Sequence, residues 1–139
     1  MEHDSHWFLV DDDPDDQDIF LMAINRIDSK LQCSLAKDGV EAIEKLSNDD
    51  FSPACIFLDL NMPRMNGREC LAEIKKMQRF KETPVFIYST SSNPTFIKET
   101  KELGAAEYIV KPPSIAILAE LLQQIHKNPL TFSLSKLEV

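Results

Sequence analysis

The chain has 139 residues, a net charge of −8 and 27% charged residues, which is typical of one globular domain rather than a disordered or fibrous protein. Eight of its acidic residues and none of its lysine or arginine residues lie within positions 1–20. No apolar run approaches the ~20 residues that span a bilayer, and no signal peptide is apparent. These features argue against binding to nucleic acid or to a membrane and predict a soluble, cytoplasmic protein.

Five short segments rich in β-branched and aromatic residues alternate with segments of helical periodicity. Strands that are apolar on both faces and joined by helices form parallel sheets with right-handed crossovers. The pattern therefore predicts an α/β fold, an open and doubly wound five-stranded parallel sheet with helices on both faces. The predicted strands are residues 7–10, 31–36, 54–58, 85–88 and 108–110.

Apolar residues at helical spacing mark the inward faces of four helices. At the start of the first helix, Asp13 is the predicted N-cap and Pro14 the first helical residue, and we interpret Asp15 and Asp16 as further capping acids. The predicted inward residues are Ile19, Met22, Ala23 and Ile27 in the first helix, Val40, Ile43 and Leu46 in the second, Leu71, Ile74 and Met77 in the third, and Leu118, Leu121, Leu122 and Ile125 in the last.

The segment after the last helix differs from the rest of the chain. We expect one domain at residues 1–127 and a C-terminal tail at residues 128–139. Leu130, Phe132 and Leu134 alternate with other residues there, a pattern that suits either an added edge strand or a contact with a partner.

Polar side chains follow four of the predicted strands, at the sheet edge where α/β proteins bind ligands. Carboxylates placed close together repel one another, and a hard divalent ion such as Mg²⁺ relieves that repulsion. Carboxylates, hydroxyls and an ammonium around one site are typical of phosphoryl transfer to an aspartate. These residues are Asp11 and Asp12 after the first strand, Asp59 after the third, Ser89 and Thr90 after the fourth, and Lys111 after the fifth.

Asp59 is the stronger candidate for the nucleophile. It stands alone after a strand in the middle of the sheet, and the turn at residues 61–67 would leave it accessible. Asp11 and Asp12 are then the candidate metal-holding pair. Each residue taken singly also has an ordinary role in a cap, turn or loop, so the prediction rests on the joint pattern.

The same residues resemble the receiver domains of two-component response regulators, in particular the single-domain receivers of chemotaxis and phytochrome signalling. The resemblance covers residues 6–126 and implies a flavodoxin-like fold with strand order 2-1-3-4-5. It rests on five blocks in order: Val10-Asp11-Asp12-Asp13, Leu58-Asp59-Leu60-Asn61-Met62-Pro63 with Gly67, Pro84 to Ser89-Thr90, Gly104-Ala105 and Lys111-Pro112.

By this resemblance, Asp59 is the phosphoacceptor. It ligates Mg²⁺ together with Asp12 and the carbonyl of Asn61, whereas Asp11 acts through water. Lys111 contacts the phosphoryl group.

The resemblance also implies a conformational switch. Ser89 takes the position of the switch hydroxyl, with the adjacent Thr90 as an alternative, and Tyr108 takes that of the switch aromatic. A cis peptide bond between Lys111 and Pro112 is implied as well.

The implied function is that of a signalling protein rather than an enzyme. A phosphohistidine on a sensor histidine kinase or a histidine phosphotransfer protein donates its phosphoryl group to Asp59. The signal then leaves by contact with a downstream protein, and homodimer formation is left open. Two alternatives remain: an aspartyl-phosphate phosphohydrolase with its nucleophile among Asp11, Asp12 and Asp13, and a docking module that is never phosphorylated.

Overall fold

The structure is a computed structural model that describes residues 6–134, and a five-stranded parallel sheet lies at its centre. The strands are β1 (His6–Val10), β2 (Gln32–Ala36), β3 (Cys55–Leu58), β4 (Val85–Ser89) and β5 (Glu107–Val110). The helices are α1 (Pro14–Ile27), α2 (Gly39–Leu46), α3 (Gly67–Lys76), α4 (Pro94–Glu102) and α5 (Ile115–Lys127), and a 3₁₀ turn follows α3 at Gln78–Phe80. The strand order β2-β1-β3-β4-β5 confirms the predicted fold.

An apolar cluster covers each face of the sheet. Helices α1 and α5 supply one cluster, which includes Phe20 and Leu122, and α2 and α3 contribute to the other through Leu46 and Leu71. No helix within residues 6–134 is long and apolar enough to cross a membrane.

One predicted core residue of α1 is wrong. Met22 is 50% exposed, whereas Phe20, Ala23 and Ile24 are buried. Residues 20, 23 and 24 follow the i, i+3, i+4 spacing of a single helix face, and residue 22 lies outside that face.

The described part of the tail, residues 128–134, contains no strand, so the edge-strand interpretation is wrong there. The backbone instead turns, with the N–H of Thr131 donating to the carbonyl of Asn128 at 3.3 Å. Phe132 then packs edge-on against Phe86, with ring centroids 6.0 Å apart. Residues 135–139 lie outside the described residues.

The sheet ladder continues beyond the strand ends and holds the polar residues that follow. The N–H of Asp59 donates to the carbonyl of Val10 at 2.9 Å, and the N–H of Lys111 donates to the carbonyl of Ser89 at 2.8 Å. Because these bonds fix the backbone, the strand register determines where the first polar residue after each strand lies.

Gly67 allows α3 to start directly against the loop after β3. Its N–H donates to the carbonyl of Leu60 at 2.9 Å. A Cβ at this position would overlap the carbonyl oxygen of Asp59 and lie 2.8 Å from the Cα of Leu60. Both contacts are with backbone atoms, which cannot swing aside as a side chain can.

We expect Gly67→Ala to lower the free energy of unfolding by about 1–3 kcal/mol, because the added methyl group displaces this loop. Chemical denaturation measures the change. Glu120→Ala, on the exposed side of α5, is the control and should stay within about 0.5 kcal/mol of the unsubstituted protein. Equal midpoints for Gly67→Ala and the unsubstituted protein would contradict the close-contact argument.

Candidate functional site

Three aspartates meet at the carboxyl ends of β1 and β3. Asp11, Asp12 and Asp59 each offer a carboxylate oxygen, and these oxygens lie within 4.8 Å of one another. Asp11 and Asp59 are buried, whereas Asp12 is exposed. Oxygen donors at this spacing fit a single hard divalent ion such as Mg²⁺ placed between them.

Local hydrogen bonds order the loop between β1 and α1. The Asp11 carboxylate accepts from the N–H of Asp13 at 3.0 Å, and the Gln17 side chain donates to the carbonyl of Asp11 at 2.6 Å. Asp13 accepts from the N–H of Asp15 at 2.9 Å, and α1 begins at Pro14. The predicted N-cap and first helical residue of α1 are therefore confirmed.

Lys111 brings a positive charge into this acidic site. Its Nζ lies 2.7 Å from Asp16 Oδ2, 2.9 Å from Asp11 Oδ2 and 3.7 Å from Asp59 Oδ2. The Tyr88 ring lies beneath the ammonium, 5.2 Å from it, and only 9% of the Lys111 side chain is exposed. One buried ammonium therefore bridges carboxylates from two elements of the fold.

Burial shifts the ionisation of these groups. It raises the pKa of Asp59 to about 6, an effect that the nearby Lys111 charge only partly offsets. Burial likewise raises the pKa of Asp11. For Lys111, burial alone would lower the pKa, but the hydrogen bonds to Asp16 and Asp11 outweigh it and raise the pKa above the ordinary value. Burial thus makes the ionised forms of Asp11 and Asp59 costly, and the Lys111 charge offsets that cost only in part.

The fourth strand ends in a buried hydroxyl. Ser89 is fully buried and its Oγ accepts from the N–H of Ser91 at 3.2 Å, whereas Thr90 is exposed. Tyr108 is buried as well, and its hydroxyl donates to the carbonyl of Ser91 at 2.6 Å. Ser91 in the β4–α4 loop therefore contacts both Ser89 and Tyr108.

An ion pair ties the loop after β3 to the start of α2. Arg64 adopts a positive φ of 67° and forms a two-point ion pair with Asp38, at 3.0 Å and 3.1 Å. Asp38 also accepts from the N–H of Glu41 and caps α2. The Arg64 guanidinium holds the pKa of Asp38 below its usual value. Asn61, the proposed carbonyl ligand, is exposed in this loop.

One expectation taken from the resemblance is wrong. No peptide bond in residues 6–134 is cis, so the Lys111–Pro112 bond is trans. Trans is the isomer that most X–Pro bonds adopt in folded proteins.

Asp16 is a member of the site that was not predicted from the sequence. We interpreted it as a capping acid, but its carboxylate accepts from Lys111 at 2.7 Å. Helical side chains lean toward the helix N-terminus, and Asp16 lies in the first turn of α1, so it leans over the site. The place of Asp16 in the first turn of this helix was the signal in the sequence that could have identified it. Tyr88 was not predicted either. Its ring faces Lys111, but it lies in a strand whose pattern predicts only core residues.

Comparison with known proteins agrees with this geometry. The model of the response regulator receiver domain family matches residues 8–125. Chemotaxis protein CheY1 of Helicobacter pylori is 34% identical over 65% of this chain and 72% of its own length. Sensor histidine kinase CheAY of the same organism is 33% identical over 64% of this chain. A protein-glutamate methylesterase/protein-glutamine glutaminase of Methanospirillum hungatei is 31% identical over 81% of it. The chain spans only 11% of CheAY and 28% of the methylesterase.

Solved structures give the same result. The phosphorylated cyanobacterial phytochrome response regulator RcpA is 30% identical, with a TM-score of 0.82 over 93% of this chain and 96% of that one. The Mn²⁺-bound response regulator Rcp1 is 29% identical, with a TM-score of 0.76 over the same shares of the two chains. With the matched family model, the strand order and the acidic strand ends in agreement, this chain belongs to the response regulator receiver domain family.

Proposed function

We propose that Asp59 accepts a phosphoryl group from a phosphohistidine on a sensor histidine kinase or a histidine phosphotransfer protein. The observation that carries the proposal is the position of Asp59 beside both carboxylates and an ammonium. Its carboxylate belongs to the three-aspartate group, and Lys111 Nζ lies 3.7 Å away. In the reaction, a carboxylate oxygen of Asp59 forms the new bond to phosphorus as the bond from phosphorus to the histidine nitrogen breaks.

We propose Mg²⁺ as the cofactor, held by Asp12, Asp59 and the carbonyl of Asn61, with Asp11 acting through water. The spacing of the aspartate oxygens and the Mn²⁺-bound form of the related Rcp1 support this choice. When bound, the ion neutralises charge on the carboxylates and the phosphoryl oxygens. Lys111 contributes a second positive charge, and Ser89 contributes a hydroxyl donor.

The output of the domain is proposed to be a contact with a downstream protein. Ser89 and Tyr108 both bond to Ser91, so a phosphoryl group that draws the Ser89 hydroxyl toward it changes the support of Tyr108. Such a change shifts the balance between two conformations of the surface formed by α4, β5 and α5. We propose that this signalling takes place in the cytoplasm. Residues 1–127 are the proposed receiver domain, and residues 128–139 are a tail.

Labelling with a radioactive phosphoryl donor tests the proposal. A small acyl phosphate in the presence of Mg²⁺ should label the unsubstituted protein once, and hydroxylamine should release the label, as expected for an aspartyl phosphate. Asp59→Asn should take up no label, because the attacking carboxylate is absent. The matched control is Asp18→Asn, an exposed acid on α1, which should be labelled normally.

The alternatives predict other results. Full labelling of Asp59→Asn would contradict the assignment, and absence of label from every variant would favour the docking module. Repeated release of phosphate from a small ester, abolished by Asp11→Asn, would favour the phosphohydrolase.

The pKa of Asp59 gives a second prediction, about stability without metal. A carboxyl group whose pKa rises from 3.8 to about 6 on folding stabilises the folded state while protonated, and that stability is lost as the pH rises through about 6. Asp59→Asn should therefore raise the melting temperature by about 3 °C or more at about pH 7.5, and by less at about pH 5.

Differential scanning fluorimetry with a chelator at the two pH values measures this difference. Addition of Mg²⁺ should stabilise the unsubstituted protein more than Asp59→Asn. The control Asp18→Asn should show no comparable dependence on pH. A gain for Asp59→Asn that is equal at both pH values would contradict the electrostatic explanation.

A further inference from the structure

We propose that Asp16 is a positioning residue that anchors the Lys111 ammonium beside the acceptor carboxylate. The inference rests on the proposed function of Asp59. It assigns to the first turn of α1 a part in phosphoryl transfer, through Lys111 rather than through contact with the phosphoryl group.

The contacts of Lys111 leave one donor direction open. An ammonium has three N–H donors, and two of them are within hydrogen-bond distance of Asp16 at 2.7 Å and Asp11 at 2.9 Å. Asp59 lies at 3.7 Å, beyond hydrogen-bond distance. The third N–H is therefore available for an oxygen of a phosphoryl group on Asp59.

Asp16 and Asp11 differ in what else they do. Asp11 belongs to the three-aspartate group that fits a divalent ion, whereas Asp16 stands outside that group. A cation drawn to Asp11 competes with Lys111 for its charge. Asp16 then becomes the carboxylate that keeps Lys111 in place, and its bond is also the shorter of the two.

Contacts within the fold hold both Asp16 and Lys111 in place. It lies in the first turn of α1, which is capped by Asp13 and begins at Pro14. The neighbouring Gln17 donates to the carbonyl of Asp11 at 2.6 Å and ties the helix to the end of β1. The Tyr88 ring confines Lys111 from the side of β4. Both partners of the ion pair are thus held by elements of the fold rather than by free loops.

The first experiment measures the reactivity of the Lys111 amine, without metal or phosphate. Acetic anhydride acylates the neutral amine of lysine, so mass spectrometry of each site reports how accessible that amine is and how readily it loses its proton. We expect Asp16→Asn to speed acylation of Lys111 by roughly threefold or more relative to the other lysines, because one charged partner is lost. Asp15→Asn removes the same charge from an exposed neighbour in the same turn and should leave Lys111 unchanged.

The second experiment measures phosphoryl transfer from a small acyl phosphate with Mg²⁺. Asp16→Asn should slow labelling of Asp59 by roughly threefold to tenfold, and Asp16→Glu should restore part of the rate. In a Lys111→Gln background, Asp16→Asn should change the rate by less than about twofold, since Asp16 acts through Lys111. A general structural defect would instead slow labelling equally in both backgrounds.

The outcomes separate the two proposals. If the unsubstituted protein is labelled at Asp59 but Asp16→Asn matches it in both experiments, the role of Asp16 is overturned and the proposed function stands. An equal loss with and without Lys111 also overturns that role. If the unsubstituted protein takes no label at Asp59, the proposed function and this inference fall together.

Discussion

The mutual repulsion of carboxylates at the ends of β1 and β3 is the interaction on which the rest of the site depends. Parallel strands with a common direction bring Asp11, Asp12 and Asp59 to one edge, and burial keeps water from screening the charges of two of them. Burial raises the pKa of Asp59, and the nearby Lys111 charge offsets that effect only in part. A site of close, partly buried carboxylates favours the binding of a cation.

The fold holds Asp59 and Lys111 on the sheet and joins Ser89 to Tyr108 through a loop. Asp59 and Lys111 extend from strands whose ladder bonds continue into the residues themselves, at 2.9 Å and 2.8 Å. The Ser89 hydroxyl and Tyr108, in contrast, are joined through Ser91 in the β4–α4 loop. Two hydrogen bonds through Ser91 therefore connect the buried end of β4 to a buried aromatic ring on β5.

The fold and the members of the site at strand ends could be predicted from the sequence, because strand direction alone gathers such residues. Asp59 and Lys111 are of this kind, and the structure brings them together. Their roles in phosphoryl transfer stay predictions. Asp16 and Met22 could not be placed in this way, since their surroundings depend on the rotation of α1 about its axis. The trans Lys111–Pro112 bond shows a further limit, because a backbone isomer leaves no trace in residue order.

The ion pair between Arg64 and Asp38 bears on how this protein can diversify. It joins the loop after β3 to the cap of α2, and Arg64 reaches it through a left-handed backbone conformation. Gly67 closes the same loop against the backbone of Asp59. Because both ends of this loop are held by these contacts, insertions and deletions in it are disfavoured. Diversification of this part of the surface would thus arise by exchange of side chains at constant loop length.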